Sequence, residues 1–134
     1  MREIKFRGKR LDGIWIYGDL WHRPYTKDWV TIVSFMEDTG GFVVIPETVG
    51  QYTGLKDKNG IEIYEGDIVS FEDSDGGYEY PDLVVNTGIV EYGELGFYFT
   101  NRVAVEMDDF YIKDGRCDDI EVLGNIYENP ELMA

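Results

Sequence analysis

Two side chains decide how much nucleophilic chemistry this sequence can do: His22 is its only imidazole and Cys117 its only thiol. Ser–His or Cys–His catalysis needs an imidazole beside the nucleophile, so His22, in Trp21-His-Arg-Pro, would have to serve every such scheme. A surface histidine in a loop is the plainer reading. Cys117 sits in Asp114-Gly-Arg-Cys-Asp-Asp, where neighbouring carboxylates raise a thiol pKa and disfavour the thiolate. One His and one Cys also exclude a zinc site of ordinary composition. Asp73-Ser-Asp-Gly-Gly-Tyr-Glu comes nearest to a calcium loop. It lacks the third ligand before the glycine, and Val84 stands where the bidentate Glu belongs, so it reads as a solvated acidic loop. With 27 acidic residues in the chain, a pair of carboxylates at glycosidase spacing arises by chance. Gly93-Glu-Leu-Gly is too short and too acidic to cradle phosphate, and no Gly-Lys-Ser/Thr loop occurs. No catalytic residue, cofactor or metal is therefore expected, and the chain reads as a non-enzyme.

A partner-binding surface is a different matter. Thr48, Gln51, Tyr52 and Thr53 place uncharged polar side chains in a stiff segment, and constrained loops on β scaffolds often carry function. Capping and turn bonding are the plainer account of the same residues. Trp15 and Trp29 join them as candidate contact residues, because both lie in strands that are apolar on two faces.

The elements that would position these residues are mostly strands. Residues 3–8 and 14–20 read as a β-hairpin turned by Leu11-Asp12-Gly13. Its second strand carries Ile14 and Ile16 on one face, Trp15 and Tyr17 on the other. Such a strand is usually sandwiched or covered by another subunit. The doubling recurs in Trp29-Val-Thr-Ile-Val-Ser-Phe-Met, after which Asp38-Thr-Gly-Gly turns the chain into Gly41-Phe-Val-Val-Ile. Pro46-Glu-Thr suits one helical turn within a connecting loop over residues 47–60, closed by Asp57-Lys-Asn-Gly. Glu65-Gly66-Asp67 should open a strand pairing with the one that contains Ile89 and Val90. Short strands and Gly turns in meander order predict an SH3-like small barrel over residues 61–126. A tail over 127–134 follows, where Asn129-Pro130 starts a last short helix.

At 134 residues the chain is sized for a single domain, with an apolar content of 43% to fill a core. Ten Tyr, seven Phe, three Trp and 16 Gly favour strands and turns over helix. The formal charge is −15, unevenly spread: MREIKFRGKR is basic, whereas Glu62 to Asp82 holds eight acids and no base. So acidic a surface disfavours direct nucleic-acid binding. The absence of an apolar leader or membrane-length run points to the cytoplasm.

Three stretches carry a family resemblance. They are Ile4-Lys-Phe-Arg-Gly-Lys with Trp15-Ile-Tyr-Gly18; Pro46-Glu-Thr-Val-Gly-Gln-Tyr-Thr-Gly-Leu-Lys-Asp-Lys-Asn-Gly60 with Ile63-Tyr-Glu-Gly-Asp-Ile-Val69; and Glu121-Val-Leu-Gly-Asn-Ile-Tyr-Glu-Asn-Pro-Glu-Leu132. The whole chain resembles the YopX-type proteins of bacteriophages and prophages. That resemblance implies a phage protein made in host cytoplasm, β-rich with an SH3-like portion, and it assigns no activity and no site residue. The expected role is a non-enzymatic accessory protein that binds a host or phage protein or assembles with itself as a homo-oligomer. Two alternatives stand beside it: a carboxylate- or metal-dependent hydrolase, and an acidic mimic of nucleic acid that blocks a host DNA-binding protein.

Overall fold

The computed structural model describes residues 3–22, 30–34, 41–74, 83–93, 96–101, 110–111 and 120–133. They form two compact units, Met1–Gly54 and Leu55–Ala134. Trp29, Cys117 and most of the acidic Asp73–Asp82 segment lie outside the described residues, which end there at Ser74.

In the first unit β1 (Phe6–Lys9), β2 (Trp15–His22), β3 (Val30–Ser34), β4 (Phe42–Val44) and β5 (Gly50–Lys56) follow one another along the chain. They lie side by side in the order β4-β3-β2-β1-β5, each pair antiparallel. The expected hairpin is present. Gly13 takes φ +90°, which lets its N–H reach the Arg10 carbonyl at 2.9 Å, and the Asp12 carboxylate accepts the Ile14 N–H at 3.2 Å. One face of this sheet makes the core: Ile32 and Val44 are buried, with Phe6, Ile16, Leu20 and Val49 packed on them. Gly8 belongs to that face because a side chain there would run into Val44. Pro46–Thr48 forms the single helical turn its sequence predicts, a 3-10 turn with proline at its start. The segment read as a connecting loop needs correction, since its residues Gly50–Lys56 are a strand on β1, with Phe6 opposite Gln51 and Arg7 opposite Gly50.

The second unit begins within β5. Asp57-Lys-Asn-Gly turns that strand into β6 (Glu62–Tyr64). The Asp57 N–H donates to the Ile61 carbonyl at 2.8 Å, and Gly60 sits at φ +81°. Then come β7 (Asp67–Ser74), β8 (Leu83–Gly93), β9 (Gly96–Asn101), β10 (Phe110–Tyr111) and β11 (Glu121–Asn125), ordered β10-β9-β8-β7-β11. Ile68 pairs with Ile89, the partnership expected after the Glu65-Gly66-Asp67 turn. Val69, Phe71, Val90, Phe97 and Phe99 share one sheet face and are buried with Ile63 and Ile120. Within that core the Phe71 and Phe99 rings stack 4.7 Å apart. This is a β meander with β11 added beside β7. Among the described residues no pairing joins its edges β10 and β11, so what is seen of the expected SH3-like barrel is an antiparallel sheet without closure. Asn129 precedes a second 3-10 turn, Pro130–Met133, as its Asn-Pro pair predicts.

Candidate functional site

The long central block contributes far more to main-chain bonding than to a surface. The Thr48 hydroxyl donates to the Ile45 carbonyl at 2.6 Å and accepts the Lys9 N–H at 2.9 Å. Tyr52 is buried on β5; its N–H donates to the Lys5 carbonyl at 2.8 Å, and the Lys5 ammonium stands 5.1 Å from its ring. Thr53 is buried too, and Gln51 is half-buried. Three of the four residues read as a partner surface are therefore buried, Thr48 in the 3-10 turn and Tyr52 and Thr53 in a paired strand.

Asp57 carries the densest bonding. Its Oδ1 accepts the N–H groups of Asn59 and Ile61 at 2.8 and 2.9 Å, and its Oδ2 accepts that of Val122 at 2.9 Å. Burial pushes its carboxyl up, but these three donors and the neighbouring Lys58 outweigh that and hold it below the usual value. Asp67, also buried, accepts the Tyr64 N–H at 2.8 Å. Both carboxylates hold turns in place, which is structural work. Among the described residues, no three His, Cys, Asp or Glu side chains gather closely enough to hold a metal ion.

The outer face of the first sheet is partly covered: Tyr17, Asp19 and Trp21 are exposed on it, whereas Arg7 and Thr31 are buried. Odd-numbered positions of β2 point away from the Ile32–Val44 core, so Trp15, Tyr17, Asp19 and Trp21 share a face. Lys9 lies opposite Trp15 and Arg7 opposite Tyr17 on β1. Thr31 lies opposite Trp21, and Val43 opposite Thr31. Arg7 is buried with its guanidinium 5.0 Å from the Trp15 ring, a cation–π pair that an adjoining strand sets in register. Tyr17 is 44% exposed, Trp21 49% and Val43 38%. At the near end Arg10 bonds Asp12 at 2.8 Å and sits 5.0 Å from the Phe42 ring, bordering a shallow hollow with exposed Leu11 and Val43. Of the two tryptophans expected to make contacts, Trp15 is half-buried beneath Arg7. Trp21 and Tyr17 are the exposed members, and alternation from Trp15 along β2 was the signal for both.

Comparison with known proteins places the chain. A family model described as "YopX protein" matches residues 5–134. None of the curated proteins matches. Among solved structures, protein EF1440 from Enterococcus faecalis is similar over 100% of both chains at 23% identity, with a TM-score of 0.59. At that identity the likeness concerns the fold. No helix among the described residues is long and apolar enough to cross a membrane.

Proposed function

The chain belongs to the YopX family, and from that premise we propose that it is a non-enzymatic accessory protein of phage or prophage origin, working in the host cytoplasm by binding protein. The observation that carries this reading is the outer face of β2, where half-exposed Tyr17 and Trp21 stand on one strand with half-buried Trp15, itself beneath buried Arg7. Tyr, Trp and Arg dominate the energetic centres of protein interfaces, since they bring large contact areas at low entropic cost. The engagement of Thr48, Asp57 and Asp67 by main-chain groups supports it from the other side, as these polar side chains are spent on the fold. Capture from host lysate, with a charge-matched acidic protein as control, tests the reading. One stoichiometric partner held by the wild type and lost on Trp21→Asp is expected. Absence of any partner, together with absence of self-association, overturns it.

A second reading, mimicry of nucleic-acid charge, is favoured by how the charge is distributed. Residues 1–54 hold seven basic and seven acidic side chains, while residues 55–134 hold five and twenty. All of the −15 therefore falls in the second unit. Salt-sensitive displacement of DNA from a host DNA-binding protein, beyond that caused by the acidic control, tests it.

A further inference from the structure

Asn59 and Gly60 are exposed at the tip of the turn between β5 and β6. Together they hold both groups of a reaction that needs no other molecule but water. We propose that this pair is a site of spontaneous deamidation in the folded protein, restrained by the bonds that Asp57 makes around it. The proposal is independent of the protein-binding reading.

Both reacting groups are accessible. The Asn59 side-chain amide makes none of the hydrogen bonds among the described residues, where only its main-chain N–H is engaged. Gly60 has no Cβ to crowd its nitrogen, and no atom beyond its chain neighbours lies within 4 Å of where one would stand. Of the five asparagines, Asn59 alone precedes glycine; Asn86, Asn101, Asn125 and Asn129 precede Thr, Arg, Ile and Pro. A side chain on the following residue hinders the attack, and proline has no N–H to lose.

The chemistry is a ring closure followed by hydrolysis. The Gly60 main-chain nitrogen bonds to Cγ of Asn59, forming a succinimide as the Cγ–Nδ2 bond breaks. The proton lost from Gly60 leaves with the amide nitrogen as ammonia. Water then opens the ring at either carbonyl. Opening at Cγ restores the chain with aspartate in place of Asn59. Opening at the main-chain carbonyl leaves isoaspartate, with the chain running through Cγ.

The folded turn opposes the first step. The Gly60 N–H donates to the Asp57 carbonyl at 3.0 Å. The Asp57 carboxylate holds the N–H groups of Asn59 and Ile61 on either side of it. Attack requires Gly60 to give up its bond and the Asn59 backbone to rotate, so the rate follows the fraction of time the turn is open. Isoaspartate would add a methylene to the main chain between those two N–H groups, which then no longer fit one carboxylate oxygen. It would also set a second carboxylate beside Asp57, which ties Val122 of β11 to the same turn.

Ammonia release, peptide mass mapping and labelling by an isoaspartate methyltransferase, followed on the whole chain at mildly alkaline pH, test the proposal. The chain unfolded in guanidinium chloride sets the unrestrained rate. The folded chain should react roughly tenfold more slowly, yet clearly faster than Asn59→Ser, which lacks the amide. Asp12-Gly13, in a second turn of the same form, can yield isoaspartate but no ammonia and no change in mass, so the readouts separate the two turns. Asp57→Asn, under conditions where circular dichroism shows it folded, should react faster than the wild type. The isoaspartate form, isolated by ion exchange, should unfold at lower denaturant than the unmodified chain. A folded wild type that releases no more ammonia than Asn59→Ser overturns the proposal, as does one that reacts as fast as the unfolded chain. A folded Asp57→Asn no faster than the wild type refutes the restraint assigned to Asp57.

Discussion

The carboxylate of Asp57 accepts the main-chain N–H of Val122, 65 residues further along the chain, at 2.9 Å. Its other oxygen takes Asn59 and Ile61, so one buried side chain shapes the turn into β6 and holds β11 to it. The Lys58 N–H reinforces the junction by donating to the Ile120 carbonyl at 2.9 Å. Hydrogen bonds to a buried carboxylate are charge-assisted and are the strong kind.

Replacing Asp57 with Ala should therefore lower stability by about 3 kcal/mol or more, since three N–H groups lose their acceptor. Asp57→Asn is the sharper variant. Its single oxygen can keep Asn59 and Ile61, but its NH2 then faces the Val122 N–H, donor against donor. The loss should fall between those of wild type and Asp57→Ala in urea unfolding. The exposed Lys58–Glu121 pair, 3.2 Å apart beside the same junction, provides the contrast. Lys58→Ala should cost less than about 1 kcal/mol. Equal losses for Lys58→Ala and Asp57→Ala would show that the carboxylate is not what holds the junction.

Acid should erase the difference between wild type and Asp57→Asn. The folded-state pKa of Asp57 is depressed, by N–H donors and Lys58 that outweigh burial. A depressed carboxyl contributes stability that is present above its unfolded value of about 3.9. That contribution is lost as pH falls through the lower folded value. Comparing the variants at each pH cancels the relief of charge repulsion among the other acids. The gap in unfolding free energy should be steady near neutrality and close below about pH 4. A gap of constant width down to pH 2 would place the effect in shape and not in charge.

The first core is testable at one contact. A Cβ on Gly8 would lie 2.7 Å from Cγ2 of Val44 and 2.9 Å from its Cβ. Gly8→Ala should destabilise by about 1–3 kcal/mol through overpacking. Val44→Ala alone should also destabilise, through a cavity. Combined, they should be less damaging than the sum of the two, because the added methyl enters the space that Val44 vacates. Strict additivity in a double-mutant cycle would mean that β1 and β4 do not meet as described.

What could be read from sequence was local. Asp12-Gly13, Pro46-Glu-Thr, Gly66-Asp67 and Asn129-Pro130 each mark a turn through their own backbone preferences, and all four sit where those preferences put them. β5 escaped because Gly50 and Gly54 read as punctuation, and because Tyr52 and Thr53 are consecutive and both buried, which breaks the period of two. Its pairing with β1 spans more than forty residues, a distance that no local pattern encodes. The Asp57–Val122 bond is hidden for the same reason. On the candidate face, alternation along β2 showed Trp15 and Tyr17 together. That Arg7 would be the buried cation against Trp15 depended on the register of the adjoining strand.

Thr48 separates the two accounts of the central block most directly. Its hydroxyl links the Ile45 carbonyl to the Lys9 N–H, tying the 3-10 turn to β1. Valine has nearly the same volume but neither donates nor accepts, so Thr48→Val should cost about 1–3 kcal/mol by stranding the Lys9 N–H in a part-buried setting. Serine keeps both bonds and gives up one methyl, which costs about 1 kcal/mol or less. The expected order of melting temperatures is wild type, then Thr48→Ser, then Thr48→Val. Protein capture should be unchanged for both variants under conditions where they remain folded, because the hydroxyl is buried and points at main chain. If Thr48→Val instead melts like the wild type and loses the captured partner, the hydroxyl serves binding. The partner surface would then have to move from the outer face of β2 to this turn.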